Sequence, residues 1–147
     1  MTPVFFTDRD LGHLFPQILH EARVRVEEHA DHFSHDTRDE DWLTEVAVRG
    51  WFCLTRDKRI RYKPNERNAA MRSGAGLFIL IGRTSHRELA NNFVNTLRKV
   101  ERFIQNHRYP FIAKIYRPLK KSKSPSGTSG TVKLWLSYDE WLNETGG

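Results

Sequence analysis

Short apolar runs alternate with stretches of helical periodicity along this chain, and that alternation restricts the fold more than any other feature. Val4 to Thr7, Trp51 to Thr55, Gly76 to Gly82 and Phe111 to Tyr116 read as buried strands. Val24 and Val26, alternating with charged neighbours, supply one more. Between them, Leu11, Leu14, Phe15, Ile18, Leu19 and Ala22 recur at helical spacing after Asp10, with Pro16 demanding a kink or a late start. Thr37 to Glu40 has the form of a capping box before Trp42, Leu43, Val46 and Ala47, and Gly50 stops that helix. Pro64 introduces a short helix to Arg72, and Ser85 opens a long one to about His107. Strands alternating with helices predict an α/β fold of three layers, α/β/α, around a mainly parallel five-stranded sheet. That domain spans 1–117. Residues 118–147 read as a basic Ser/Gly-rich linker followed by a short strand, Val132 to Leu136, and a short helix, Ser137 to Asn143, appended at the end.

Charge narrows the partners. Against 18 Asp and Glu stand 24 Lys and Arg, a surplus of +6 at a pI of about 9.7, which points to an anionic partner, nucleic acid being the simplest. The surplus is uneven: acids dominate from Glu27 to Glu45 and bases from Arg56 to Arg72, with Arg117, Lys120, Lys121, Lys123 and Lys133 following. An acidic segment beside a basic one suits an enzyme that holds a cation against a polyanion. The single cysteine, Cys53, excludes an internal disulfide framework and fits a reducing cytosol. Its place among Trp51, Phe52 and Leu54 predicts a buried, inert thiol. No apolar run is long enough to span a bilayer and no signal pattern opens the chain, so a cytoplasmic protein without a membrane partner is expected.

In parallel sheets ligands bind beyond the carboxyl ends of the strands, where strand order reverses. Asp8 follows the first strand, Asp57 follows the third, and Asp39 and Asp41 open the helix after the second. These four carboxylates are expected to meet on one edge and hold Mg²⁺ or Mn²⁺, which can activate water and neutralise phosphoryl charge. Two positions apart on a helix, Asp39 and Asp41 point about 200° from each other. Asp39, one turn before the buried Trp42 face, is favoured. Asp10, Glu66 and His32 are accessory candidates. Lys58, Arg61, Lys63 and Arg67 lie close to Asp57 in sequence and are expected to bind RNA phosphates, with Tyr62 a base-stacking candidate.

The series Phe5-Phe6-Thr7-Asp8, Asp39-Glu40-Asp41-Trp42-Leu43, Gly50-Trp51 and Leu54-Thr55-Arg56-Asp57-Lys58-Arg59-Ile60-Arg61, with Pro64 and Glu66, resembles a PIN-like domain. It is most similar to the group found among VapC-type ribonuclease toxins, over residues 3–82 and less distinctly to 116. The resemblance implies a Mg²⁺- or Mn²⁺-dependent endoribonuclease, the toxin of a toxin–antitoxin pair, with a cognate antitoxin protein as partner and a homodimer as a further expectation. It carries the metal acids onto Asp8, Asp39 (or Asp41) and Asp57. The chain departs from the pattern after the fourth strand, where Gly82-Arg83-Thr84-Ser85 holds no carboxylate before Glu88.

That gap sustains a second reading, a degenerate PIN-like module binding RNA or protein without catalysis. A third arises because Thr7-Asp8-Arg9-Asp10-Leu11-Gly12 also resembles the first motif of haloacid-dehalogenase-type phosphatases, with Asp8 as nucleophile and Asp10 as general acid. The same acid-free stretch opposes it. His29, His32 and His35, spaced by three between a strand and a helix with no Cys beside them, read as polar loop histidines, a zinc site being the alternative. Trp135, Tyr138, Trp141 and Leu142 either close the core or face a partner.

Overall fold

A computed structural model describes residues 2–119 and 128–145, apart from the side chain of Arg61. The runs read as strands pair into one sheet: β1 (Phe5–Thr7), β2 (Val26–Glu28), β3 (Phe52–Thr55), β4 (Gly76–Leu80), β5 (Phe111–Tyr116) and β6 (Thr131–Leu136). Their order is β2-β1-β3-β4-β5-β6, with the first five parallel and β6 antiparallel to β5. The order reverses between β1 and β3, and this fixes where a ligand would bind.

Alternation along each strand builds two cores, because successive side chains point to opposite faces. Phe5, Phe52, Leu54, Phe78 and Leu80 pack on one face under α1 (Leu14–Glu21) and α6 (His86–Asn106), with Phe15, Leu19, Leu89, Phe93 and Val100. Phe6, Cys53, Leu77, Ile79 and Ile112 pack on the other under α3 (Asp39–Val48) and α5 (Pro64–Arg72), with Trp42, Val46 and Met71. The result is three layers, as the periodicity predicts. Cys53 is fully buried, and burial pushes its thiol well up, so it is inert. Among the described residues no helix is long and apolar enough to cross a membrane.

Local signals explain most element ends. Pro16 falls in the first turn of α1, where its missing N–H costs nothing, so the helix starts late and is not kinked. Gly50 adopts φ +71° after α3, and the amides of Gly50 and Trp51 bond back to Ala47 and Val46 at 3.0 and 3.1 Å, the Schellman pattern. Ser85 caps α6 by accepting from the amide of Glu88.

Four expectations change. The second strand begins at Val26, not Val24, because Arg23 turns the chain with φ +64°. The capping box at Thr37 does not form: the helix begins at Asp39 with Arg38 as its uncapped N-cap. Thr37 belongs instead to a turn in which the Ser34 hydroxyl meets Asp36 and Thr37 at 2.5 and 3.2 Å. The three histidines are not all loop residues: His29 and His32 bound a short helix, α2 (His29–His32). His29 is buried against Phe6, Phe33 and Trp42, His32 pairs with Glu27 at 2.8 Å, and His35 is exposed.

The fourth change concerns the C-terminal segment. Its strand is not an appendage but the sixth strand of the same sheet, paired with β5 from Tyr116↔Thr131 to Ile112↔Leu136. Leu136 enters the second core, Trp135 and Trp141 pack against it, and the Trp141 indole donates to Asn68 of α5 at 3.1 Å. Helix α7 (Tyr138–Glu144) is held by a true capping box between Ser137 and Glu140. Most of the basic linker, residues 120–127 with Lys120, Lys121 and Lys123, lies outside the described residues.

His29 carries a testable cost. It is 1% exposed and neither ring nitrogen has a partner, while burial, aided by the charge of Arg9, lowers its pKa below the usual 6.5. The folded state therefore holds this proton less tightly than the unfolded one, and stability is lost as pH falls through about 6.5. Replacing His29 by Leu removes two unsatisfied polar atoms and should stabilise the protein by about 1–3 kcal/mol, more at pH 5.5 than at pH 8. Thermal unfolding at both pH values checks this, and a lower midpoint in the variant would contradict it.

Candidate active site

Thr55, the last residue of β3, organises the switch point. Its hydroxyl lies 3.1 Å from Asp8 Oδ2 and 3.1 Å from Asp10 Oδ2, and accepts from the amide of Asp57 at 3.0 Å. The hydroxyl has one proton, so it can donate to only one of the two carboxylates at a time. Asp8 leaves β1 as the N-cap of a 3₁₀ turn over Arg9–Leu11, accepting from the Arg9 amide at 2.7 Å. Its own amide donates to Leu54 at 3.1 Å, which locks the end of β1 to β3. Asp10 accepts from the Arg56 amide at 3.0 Å, so the turn brings the second carboxylate back onto the same strand end.

Electrostatics here are unbalanced. Burial first, then the charge of Asp10 with a smaller push from Asp39, raises Asp8 to about 7, against hydrogen bonds from Arg9 and Thr55 that pull it down. Asp10 is raised as well, again chiefly by burial. Among the described residues no Lys or Arg makes a salt bridge to Asp8, Asp10 or Asp39. The Arg9 guanidinium donates instead to the carbonyl of His35.

A cleft at this point is lined by Asp8, Asp39, Thr55, Asp57 and Glu66, with an apolar floor that includes Trp42, Ile60 and Leu77. It has room for little more than one water or ion. Asp39 and Glu66 are shared with a wider groove that continues past Arg38, Asn65 and Arg72. The two helix acids separate as their angle requires. Asp39 faces the cleft and accepts from the Trp42 indole at 3.0 Å, whereas Asp41 is exposed and tied to Arg38 at 3.2 Å.

Asp57 has a cation of its own chain. Arg59 grips its carboxylate through Nε at 3.0 and 3.2 Å, through Nη2 at 2.8 Å and through its amide at 2.9 Å. Burial acts to raise this carboxyl, but the Arg59 hydrogen bonds and charge, with Lys63 beyond, outweigh it and hold the pKa below the usual value. Asp57 therefore stands in the cleft wall as an ion pair, in contrast to the unpaired Asp8.

The basic residues divide likewise. Lys58 and Lys63 are exposed beside α4 (Arg59–Tyr62), near the cleft mouth. Arg67 turns away to Glu144 of α7 at 3.4 Å, and the side chain of Arg61 lies outside the described residues. His32, paired with Glu27 and set edge-on to Trp51, does not line the cleft. Where no carboxylate follows β4, Arg56 occupies the ground: its guanidinium donates to the carbonyls of Gly82 and Thr84 at 3.3 and 3.2 Å. Thr55, Arg56 and Arg59 join the site without a motif of their own in the sequence. Their only signal there is position, immediately around Asp57 at the end of a buried strand.

Among the described residues no three of His, Cys, Asp and Glu lie close enough together to form a metal cluster by themselves. Two carboxylates do fit a hard divalent ion. Mg²⁺ and Mn²⁺ prefer oxygen donors, and Mg²⁺ commonly takes one or two carboxylates and keeps several waters. The unpaired negative charge of Asp8, with Asp10 and Asp39 beside it, matches that demand.

Neither the curated proteins nor the solved structures give a match to this chain. The family model for the PIN-like domain matches residues 3–82, a span that runs from before β1 to just after β4 and contains every cleft residue named above. That span is more than half of the sequence, and the chain belongs to the PIN-like domain family.

Proposed function

We propose that this protein is a metal-dependent endoribonuclease in which two carboxylates, Asp8 and Asp10, hold Mg²⁺ or Mn²⁺, with Asp39 in the cleft wall nearby. One observation carries the reading: two carboxylates, half-buried Asp8 and more open Asp10, share a single hydroxyl at the switch point, and among the described residues neither has a salt bridge to Lys or Arg. A bound divalent ion would supply hydroxide at neutral pH and neutralise charge on the phosphoryl oxygens. The chain's own groups do the rest. Thr55 fixes the angle between Asp8 and Asp10, and the Arg56 amide orients the latter. Lys58 and Lys63 draw the RNA backbone to the cleft, and the Asp57–Arg59 pair presents a guanidinium at its wall. Placing this activity in the toxin of a toxin–antitoxin pair, restrained by a cognate antitoxin protein, extends the family resemblance and is part of the same proposal.

The test is direct. Purified protein incubated with single-stranded RNA should cut it internally when Mn²⁺ or Mg²⁺ is supplied, and should not cut in EDTA. Equal cleavage in EDTA and in Mn²⁺ would dispose of the metal role, and no cleavage under any metal would leave the degenerate RNA-binding module.

A further inference from the structure

The positive charge of this protein does not lie where the family match lies. From Arg102 to Tyr138 the sequence holds eight Lys and Arg and no Asp or Glu. The rest of the chain carries sixteen basic residues against eighteen acidic ones, a slight negative excess. The whole surplus therefore belongs to a segment that begins after residue 82, centred on β5 and β6.

Within it, Lys114 and Lys133 stand directly opposite each other across the β5–β6 ladder. Like charges in that relation are destabilising, and neither strand carries a carboxylate to relieve them. Each ammonium instead rests over a ring from the other strand. Lys114 Nζ lies 5.5 Å from the Trp135 ring centre, and Lys133 Nζ lies 5.7 Å from that of Tyr116. The four side chains form a diagonal row of ring, cation, cation, ring. Among the described residues no salt bridge involves either lysine.

This row is aligned with the cleft. Ile112 belongs to the core beneath α3 and α5, so Lys114 and Tyr116, two and four residues on, share that face of the sheet. Strand β5 runs parallel to β1 and β3, so its Tyr116 end reaches the same edge as Asp8 and Asp57. Two strand spacings separate β3 from β5, about 10 Å. Arg117 spans part of the gap, its Nε 2.9 Å from where a Cβ on Gly82 would stand at the end of β4.

We propose that the Lys114, Lys133, Tyr116 and Trp135 face binds single-stranded RNA beyond the cleavage cleft, phosphates on the lysines and bases against the exposed parts of the half-buried rings. The proposal rests on RNA being the polymer that reaches the cleft. Rings flanking cations suit single-stranded nucleic acid, whose bases present π faces next to phosphates. An acidic polypeptide would use the lysines and leave the rings idle.

Anisotropy of a fluorescein-labelled 20-nucleotide oligouridine, measured in EDTA across a salt series, tests this on the full chain. Substituting Lys114→Gln with Lys133→Gln should weaken binding about tenfold at low salt. It should also reduce the magnitude of the log–log salt slope by about 1.4, two single-strand phosphate contacts. The thermal midpoint should hold or rise, since a like-charge pair is removed. Trp135→Phe should keep affinity within about twofold and abolish the part of the tryptophan quenching that RNA induces at that ring. Unchanged affinity and slope in the double variant would overturn the proposal. So would unaltered RNA binding accompanied by lost binding to polyglutamate, which would make the face a protein surface. Because the assay needs no cleavage, a chain that never cuts RNA but loses affinity in the double variant refutes the nuclease reading alone.

Discussion

If the proposed nuclease activity is right, Asp8→Asn should abolish it and stabilise the protein at once. Removing this carboxylate would take away a ligand of the proposed ion, and Mn²⁺-dependent RNA cleavage is expected to fall at least about a hundredfold, the equivalent of roughly 3 kcal/mol of transition-state stabilisation. Stability moves the other way. Asp8 has a pKa of 3.8 in its ordinary setting and about 7 in the fold. The folded state therefore binds its proton more tightly than the unfolded one, and wild-type stability declines as pH rises from about 4 through 7. At pH 8 the ionised carboxylate opposes folding by an amount on the order of 2–4 kcal/mol, which Asn does not incur. In EDTA the variant should melt several degrees above the wild type at pH 8 and close to it at pH 4. Mn²⁺ should raise the wild-type midpoint and leave that of the variant unmoved. A variant less stable than wild type at pH 8 would mean that Asp8 is not an uncompensated charge.

Gly130→Ala should be among the most damaging substitutions in the molecule, although Gly130 does not line the cleft. A Cβ there would stand 1.9 Å from the carbonyl oxygen of Tyr116 and 2.8 Å from Asn92 Oδ1. The first of these is backbone and cannot swing aside. The methyl would also prise apart a polar knot that fastens β6 to α6. The Gly130 amide donates to Thr96 Oγ1 at 2.9 Å, Lys99 donates to the Gly130 carbonyl at 2.7 Å, and Asn92 donates to Tyr116 at 3.2 Å. Thr96 is fully buried, so its hydroxyl has no water to turn to. Overpacking combined with broken buried hydrogen bonds should cost about 3–5 kcal/mol. Hydrogen exchange should show protection lost first across the β5–β6 ladder, while β1 and β3 keep theirs. A thermal midpoint within a degree of wild type would show that the turn before β6 adjusts freely.

Much of this architecture is legible from the residues alone. Strands β1, β3 and β4 announce themselves as short runs without charge, and Ser85, Pro64 and Gly50 mark helix ends for reasons that do not depend on tertiary context. The pairing of β6 is not legible. Thr-Val-Lys-Leu-Trp-Leu mixes exposed and buried positions as an edge strand does, and its partner precedes it by more than a dozen residues of linker. Thr37 satisfies the capping pattern, but a four-residue turn from Ser34 claims its hydroxyl first. The site shows the same division. That Asp8 and Asp39 reach one cleft follows from strand order. The Arg59 clamp on Asp57 depends on a side-chain conformation, and Thr55 earns its role only once Asp10 turns back onto it. His29 is the clearest limit, since spacing cannot reveal that a histidine lies among Phe6, Phe33 and Trp42 with both nitrogens unpaired.

The seating of β6 and α7 also has a consequence in time. Leu136 completes a core whose other members come from as early as Phe6, and Trp141 reaches back to Asn68. A chain emerging in order would expose Ile112 and its neighbours until the residues after 130 arrived to cover them. The carboxylates of the cleft, all in place by residue 66, would by then have been synthesised but not yet rigidly held. Pulse-labelled intermediates halted before Gly130 should therefore be sensitive to protease, with resistance appearing only once the final strand can dock.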